Sequence, residues 1–161
     1  MVRLRRDAHF LIPVVGVAVY IAAASGELWR AGIVCYDDGL RVAVDSRTGF
    51  EPPKESLAFD RESERFYLVT AAGERQPLDL PRAIARPLAV ASAMQGGLFI
   101  ADGKGNMVYF LEKSGNLRTL LSILGHDVTI AGLAVGPDER LTVSLEFKNG
   151  TPLTVRVVPR S

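Results

Sequence analysis

The feature that most constrains this chain lies at its start, where a cluster of arginines precedes a long run without charge. Arg3, Arg5 and Arg6 are followed by an apolar run over residues 8–24. A helix needs about 20 apolar residues, and no fewer than about 17, to cross a hydrocarbon core of ~30 Å. Flanking arginines stay on the cytoplasmic side of a membrane. We therefore expect residues 1–30 to form one transmembrane anchor, with residues 31–161 in the periplasm or another extracytoplasmic space.

The predicted anchor is built from aliphatic and aromatic residues, with a tryptophan at its far interface. Its members are Phe10, Leu11, Ile12, Val14, Val15, Val17, Val19, Ile21 and Trp29. The lipid bilayer is then an expected partner. Two alternatives stay open. An arginine-rich start, an apolar run and small residues at 22–24 are also typical of a cleavable signal peptide. The β-branched residues also fit two buried strands, because short apolar runs cannot be assigned by periodicity alone.

Length and composition limit what the rest of the chain can be. The chain has 161 residues, so the part after residue 30 is long enough for one domain with its own core. A net charge of +1 with no basic block argues against nucleic acid as a partner. The single cysteine, Cys35, cannot form an internal disulfide, and we interpret it as a buried structural thiol.

From residue 31 onward, short apolar segments alternate with turn-forming residues, which is typical of a mainly β protein. Residues 33–36 and 40–44 predict a hairpin around a turn at 37–39. Proline-containing breaks follow at 49–53 and 77–87, since proline cannot join the interior of a sheet ladder. Residues 114–125 are the best candidate for a short helix, although a strand fits them almost as well. The predicted fold is an N-terminal helix followed by a small all-β domain.

Internal similarity refines this prediction. Leu-Ala pairs at residues 57, 88 and 133 each introduce a strand, a polar turn, a second strand, another turn and a third strand. The second strands are 65–69, 97–101 and 140–144, and third strands include 107–111 and 153–158. This pattern resembles the blade repeats of β-propellers of the NHL and gluconolactonase-like kind, over residues 56–158. A closed ring takes at least four blades, and the chain offers about three. We therefore expect a sandwich or open, partial-propeller sheets.

The resemblance draws attention to one Gly-rich turn. Asp102 and Asn106 flank it, and in some sugar-lactone hydrolysing propellers acidic and amide side chains bind a metal. Aspartate, glycine and asparagine are also the ordinary residues of turns, and we interpret this segment so. Residues 103–105 (Gly-Lys-Gly) lack the strand–loop–helix context and the following Ser or Thr of a phosphate loop.

Other candidates for catalysis are equally weak. His126 and Asp127 are adjacent, and adjacent residues of a strand point to opposite faces. Asp37 and Asp38 are interpreted as turn residues. The sequence contains neither a Cys-x-x-Cys motif nor metal-ligand spacing. We therefore predict no catalytic, cofactor-binding or metal-binding residues, no cofactor, and no enzymatic activity.

These features together favour a non-catalytic accessory or structural subunit of a membrane protein complex. Its expected partners are the other subunits, contacted by exposed strand edges and aromatic residues. The aromatic positions are Tyr36, Phe50, Tyr67 and Tyr109. Two alternatives are an exported propeller-like ligand-binding protein or lactone hydrolase fragment, and a cytosolic β protein in which residues 8–25 form core strands.

Overall fold

A computed structural model describes residues 9–14, 17–24, 27–37, 39–45, 54–150 and 152–159. Before Gly32 and at residues 44, 45 and 159 the description is of the backbone alone, and the side chains of the other described residues are included. Regular structure within these residues is β throughout, and every strand pairs antiparallel with its neighbours. The prediction of a mainly β domain is confirmed.

The strands of the described residues are numbered in chain order. They are β1 (His9–Val14), β2 (Val17–Ala24), β3 (Glu27–Cys35), β4 (Leu40–Asp45), β5 (Glu55–Asp60), β6 (Arg65–Thr70), β7 (Arg75–Leu78), β8 (Pro87–Ser92), β9 (Leu98–Asp102), β10 (Met107–Leu111), β11 (Leu117–Leu124), β12 (Val128–Val135), β13 (Leu141–Phe147) and β14 (Pro152–Pro159).

Three antiparallel sheets contain these strands. Sheet A has the order β1-β2-β3-β11-β10-β9-β8, sheet B the order β12-β13-β14-β4, and sheet C the order β5-β6-β7. The strand–turn–strand–turn–strand units predicted from the sequence are therefore meanders, namely β5-β6-β7, β8-β9-β10 and β12-β13-β14. The first strand of each meander is an edge of its sheet.

Tight turns of one kind join many of these strands. After β6, the Thr70 N–H donates to the Glu74 carbonyl at 2.9 Å and the Gly73 N–H to the Thr70 carbonyl at 2.9 Å. The same pair of bonds recurs in the turns that follow β8, β10 and β12. The fourth residue of such a turn takes a positive φ, which glycine adopts at least cost. Gly73 (φ 82°) and Gly115 (φ 91°) meet this need, whereas Glu139 (φ 63°) meets it without being glycine.

Two cores lie on opposite faces of the β8–β11 part of sheet A. Alternate residues enter different cores, because successive side chains of a strand point to opposite faces. Ala91 and Ala101 pack with the buried face of sheet B, whereas Val90 and Ile100 pack with Leu68 of sheet C. Burial on both sides explains why these strands carry continuous apolar runs.

Sheet B is amphipathic, with one buried face and one polar face. Leu141, Val143 and Leu145 of β13 are buried in the core shared with sheet A. The intervening positions are Thr142, Ser144 and Glu146, all at least partly exposed. The polar face is therefore a solvated outer surface of the domain.

The N-terminal segment follows strands in its described residues, and the expected helix is not seen there. β1 pairs with β2, β2 pairs with β3, and residues 32–35 of β3 join sheet A through β11. No helix in the described part of the chain is long and apolar enough to span a bilayer. This backbone corresponds to the alternative in which the apolar run forms strands, and β3 crosses the predicted boundary at residue 30.

The predicted hairpin over residues 33–44 is wrong in its pairing, although both of its strands exist. β3 pairs with β11 in sheet A, whereas β4 pairs with β14 in sheet B. Asp37 closes the intervening turn, since its side chain accepts the Gly39 N–H at 2.8 Å. Ile33 and Val42 then enter the same core from its two sides. Burial of Ile33 and Val42 in this core therefore stabilises the fold more than direct pairing of β3 with β4 would.

Candidate functional site

An open cleft of about 270 Å³ lies where the first strands of the three meanders come together. Its walls are the ends of β8 and β12, with the start of β5 beside them. The lining comprises Lys54, Glu55, residues 90–94 and residues 133–136. Because β5, β8 and β12 are all sheet edges, backbone as well as side chains faces the opening.

One carboxylate organises the cleft. The Glu55 carboxylate accepts the backbone N–H of Ser92 at 2.8 Å. This bond ties β5 of sheet C to β8 of sheet A and satisfies a donor on the open edge of β8. Glu55 is thereby held at the cleft with Lys54 next to it in the chain.

The rest of the lining is mainly apolar. Val90, Ala91, Leu133 and Ala134 are buried at its base. Met94 stands at the mouth with 66% of its surface exposed. Methionine is a flexible, polarizable side chain that adapts to varied apolar partners. The cleft therefore offers an adaptable apolar contact with one acid and one base at its edge.

Asp102, the acid flanking the Gly-rich turn, is a structural residue. The residue is 1% exposed, and its carboxylate accepts three backbone N–H groups, from Ala85 at 3.0 Å, Arg86 at 2.8 Å and Lys104 at 3.1 Å. The Gly103 N–H also donates to the Arg86 carbonyl at 2.8 Å. Asp102 thus fixes the segment before β8 to the β9–β10 turn, and it positions β8 along the cleft.

Asn106 serves a similar purpose at the other end of the same turn. It has φ of 50°, and its amide donates to the Val128 carbonyl at 3.0 Å. This bond joins the β9–β10 turn to the start of β12. Asp102 ends β9 and Asn106 lies in the β9–β10 turn, and both also connect separate sheets or segments.

The remaining polar candidates are dispersed. His126 lies before β12, an eight-residue strand whose far end lines the cleft, so roughly 25 Å separates His126 from it. Asp37 forms its turn and an ion pair with Arg118 at 3.7 Å, whereas Asp38 lies outside the described residues. The thiol of Cys35 is half-buried and contacts the carbonyls of Asp37 and Leu40.

Burial and hydrogen bonding shift the pKa of two ionisable side chains, Tyr109 and Asp60. Burial raises the pKa of the Tyr109 hydroxyl, with smaller contributions from Asp102 and Tyr36. The Glu62 N–H and the Ser63 hydroxyl lower the pKa of Asp60, which closes the β5–β6 turn. Across the described ranges, no group of three His, Cys, Asp or Glu side chains is placed to hold a metal ion.

The aromatic residues expected to contact partners fall into different environments. Tyr36 is 54% exposed and is the most accessible of the three that the structure describes. Tyr67 is covered by Arg75, whose guanidinium lies 4.5 Å from the ring centre. Tyr109 packs against the core between sheets A and C. Phe50 lies outside the described residues, as do Arg3, Arg5, Arg6 and Val15.

Sequence reasoning missed Glu55, Met94 and the cleft itself. A glutamate that opens a strand directly after Pro52-Pro53-Lys54 is a weak signal, because such residues are usually solvated. The cleft arises from the way three sheets meet, which no local pattern encodes. A search of protein-family models finds no match to this sequence. No curated protein matches it either.

Proposed function

We propose that this chain is a non-catalytic accessory or structural subunit whose β domain binds neighbouring proteins of a membrane complex. The cleft is the observation that carries the proposal. Its lining is apolar strand ends with an exposed methionine at the mouth, and its one carboxylate is engaged by a backbone N–H. A surface of this composition suits burial of a partner's apolar side chains.

The polar residues elsewhere support the same proposal. The family resemblance made Asp102 and Asn106 candidates for metal binding. Their side chains instead form hydrogen bonds with backbone groups. A general acid or base needs a free functional atom within reach of a substrate. These side chains instead hold the scaffold around the cleft.

Co-purification tests the proposal. The full chain with a C-terminal tag is isolated in mild detergent, and a partner is expected at a fixed ratio. Met94→Glu places a charge at the mouth of the cleft and is expected to remove the partner without unfolding the domain. Lys148→Glu, in the exposed β13–β14 turn at the opposite end of sheet B, is the control and retains it. A partner ratio unaffected by Met94→Glu contradicts the proposal.

Attachment to the membrane through residues 1–30 is the second part of the proposal. The arginine cluster and the apolar run support an anchor with the β domain outside the cytoplasm. The strands β1 and β2 favour the competing arrangement, in which the run belongs to the β body. Carbonate extraction of membranes decides between them. An anchored chain stays in the pellet, and Val17→Asp releases it; a chain with strands is extracted, and Val17→Asp prevents folding.

A second candidate is a ligand-binding protein with an open, partial-propeller arrangement. The convergence of β5, β8 and β12 at one cleft favours it, because β-propellers place the first strands of their blades around a central channel. Sugar lactones are the probes that the resemblance suggests. A saturable rise in melting temperature that Met94→Glu abolishes supports this candidate, and an unchanged melting temperature argues against it.

A further inference from the structure

The three sheets of the described residues have six edges, and an edge strand presents backbone N–H and C=O groups to any strand of another chain. The edges are β1 and β8 of sheet A, β12 and β4 of sheet B, and β5 and β7 of sheet C. Natural proteins blunt such edges with proline, short length, charges or covering segments. Which edge lacks these devices indicates where this chain accepts another strand.

Five of these six edges are blunted. β7 has only four residues, and one of them is Pro77. β1 contains Pro13, which lacks an N–H for pairing. β5, β8 and β12 lie close together around the cleft, and the Glu55 carboxylate occupies the Ser92 N–H on β8.

β4 is the remaining edge; it has six residues and no proline, and its two charged residues, Arg41 and Asp45, are of opposite sign. Residues 40–45 pair with β14 over six register positions without a bulge. Val42 is 7% exposed and anchors the strand in the core, whereas Arg41 is exposed. Among the described residues, no strand pairs with β4 on its other side. Within the described residues, the outer edge of β4 is therefore open to another strand, although the Leu40 carbonyl at its start accepts the Cys35 thiol at 3.8 Å.

The sequence of β4 is self-complementary in the antiparallel direction. When two copies are placed about a two-fold axis at Ala43, Val42 lies opposite Val44 of the partner subunit. Arg41 then lies opposite Asp45 of the partner subunit, and the same pair occurs again across the axis. Opposite charges in directly facing positions stabilise a strand pair, and like charges there destabilise it.

We propose that the free edge of β4 pairs with β4 of a second copy of this chain, joining two four-stranded B sheets into one. The contact is isologous, so it closes as a dimer and does not propagate into fibres. By strand alternation, positions 42 and 44 lie on one face of the joined sheet, the face on which Val42 is buried, and positions 41, 43 and 45 lie on the other, where Arg41 is exposed. This inference does not depend on the proposed function.

Sedimentation velocity on the purified full chain tests the pairing. Wild type is expected to dimerise reversibly, and Arg41→Asp to weaken the dimer about tenfold or more, because it sets two pairs of like charges opposite each other. The double variant Arg41→Asp/Asp45→Arg restores opposite charges at both positions and is expected to restore the dimer. Arg61→Asp, in the exposed β5–β6 turn, makes the same charge change elsewhere and leaves the dimer intact.

Disulfide trapping checks the register independently. In a Cys35→Ala background, Ala43→Cys is expected to form a cross-linked dimer on mild oxidation, because directly opposed strand residues have Cα atoms about 4.5–5.5 Å apart. Arg41→Cys places the two thiols at non-opposed positions and stays unlinked. A chain that is monomeric at submillimolar concentration, a dimer indifferent to Arg41→Asp, or equal cross-linking at 41 and 43 overturns the proposal.

Discussion

Removal of the Asp102 carboxylate is expected to destabilise the domain strongly, because this side chain joins two segments that are distant in the chain. The buried carboxylate accepts three backbone N–H groups, two from the segment before β8 and one from the β9–β10 turn. Hydrogen bonds to a charged group contribute about 1.5–3 kcal/mol each, and a donor left unpaired costs about 1–3 kcal/mol. The three donor residues are exposed but the hydrogen bonds are partly buried because Asp102 is buried, so water replaces only part of the lost bonding.

The expected loss in the free energy of unfolding is about 3–5 kcal/mol for Asp102→Ala. Asp102→Asn keeps the shape and one acceptor oxygen, and its expected loss is about half as large. The matched control is Asp138→Ala. Asp138 also closes a turn, through the Arg140 N–H at 3.3 Å, but its side chain is 45% exposed, so we expect a loss below about 1 kcal/mol.

Urea unfolding followed by far-UV circular dichroism measures these differences, provided that the slope with denaturant is unchanged between variants. Hydrogen exchange should also show faster exchange at residues 84–86 in Asp102→Ala, since their segment loses its attachment. A free energy of unfolding for Asp102→Ala within about 1 kcal/mol of wild type, or an equal loss in Asp138→Ala, contradicts this role of Asp102.

Three further predictions concern the turns, the core and the acidity of Tyr109. Gly115→Ala is expected to lower the free energy of unfolding by about 1 kcal/mol, because alanine is strained at φ 91°. Glu139→Gly at φ 63° is expected to leave the free energy of unfolding unchanged or to raise it by up to about 1 kcal/mol. Urea unfolding in which both variants shift the free energy in the same direction contradicts this prediction. Val143→Ala, in the buried face of sheet B, is expected to lower the free energy of unfolding by about 2–3 kcal/mol, and Thr142→Ala, on the polar face, by less than about 1 kcal/mol. Equal losses for the two variants in urea unfolding contradict this prediction. Because the pKa of Tyr109 is raised in the folded state, the unfolded chain loses this proton first, so the free energy of unfolding falls as pH rises above about 10. Tyr109→Phe should make that fall smaller. The same pH dependence in wild type and variant contradicts a raised pKa at Tyr109.

The strands from residue 55 onward were largely predictable from the sequence. Polar turns with glycine separate short apolar runs, and this local chemistry is the same chemistry that forms the turns in the structure. Residues 114–125 are the exception. They resemble a helix because their leucines recur with helical spacing, yet β11 is a strand. A bulge between β10 and β11 leaves Leu120 without a register partner, so Leu120 and Leu121 are both buried and the alternation is broken.

The N-terminal segment was ambiguous because nearly all of its residues are apolar, so neither helical nor strand periodicity stands out. One signal for strands was available. Two residues separate the register partners Val14 and Val17, and two separate Ala24 and Glu27. In each gap the second residue is a glycine, which is a common composition for two-residue hairpin loops.

Tertiary contacts decided the features that the sequence did not indicate. β3 and β4 are adjacent in the chain but do not pair with each other; β3 pairs with β11 as well as with β2, and β4 pairs with β14, and both β11 and β14 lie more than 75 residues away. The cleft depends on the same long-range arrangement, because Glu55, Ser92 and residues 133–136 meet only when all three sheets are assembled. The strand propensities of individual residues do not specify which distant strands pair.

Site-directed photo-cross-linking in cells tests most directly the claim that this protein works by contact at the cleft. A photoreactive amino acid replaces Met94 at the mouth of the cleft in one variant, and exposed Lys148 at the opposite end of sheet B in the other. We expect one discrete cross-linked protein partner from position 94 and none from position 148. No adduct from position 94, or the same adducts from both positions, would contradict it.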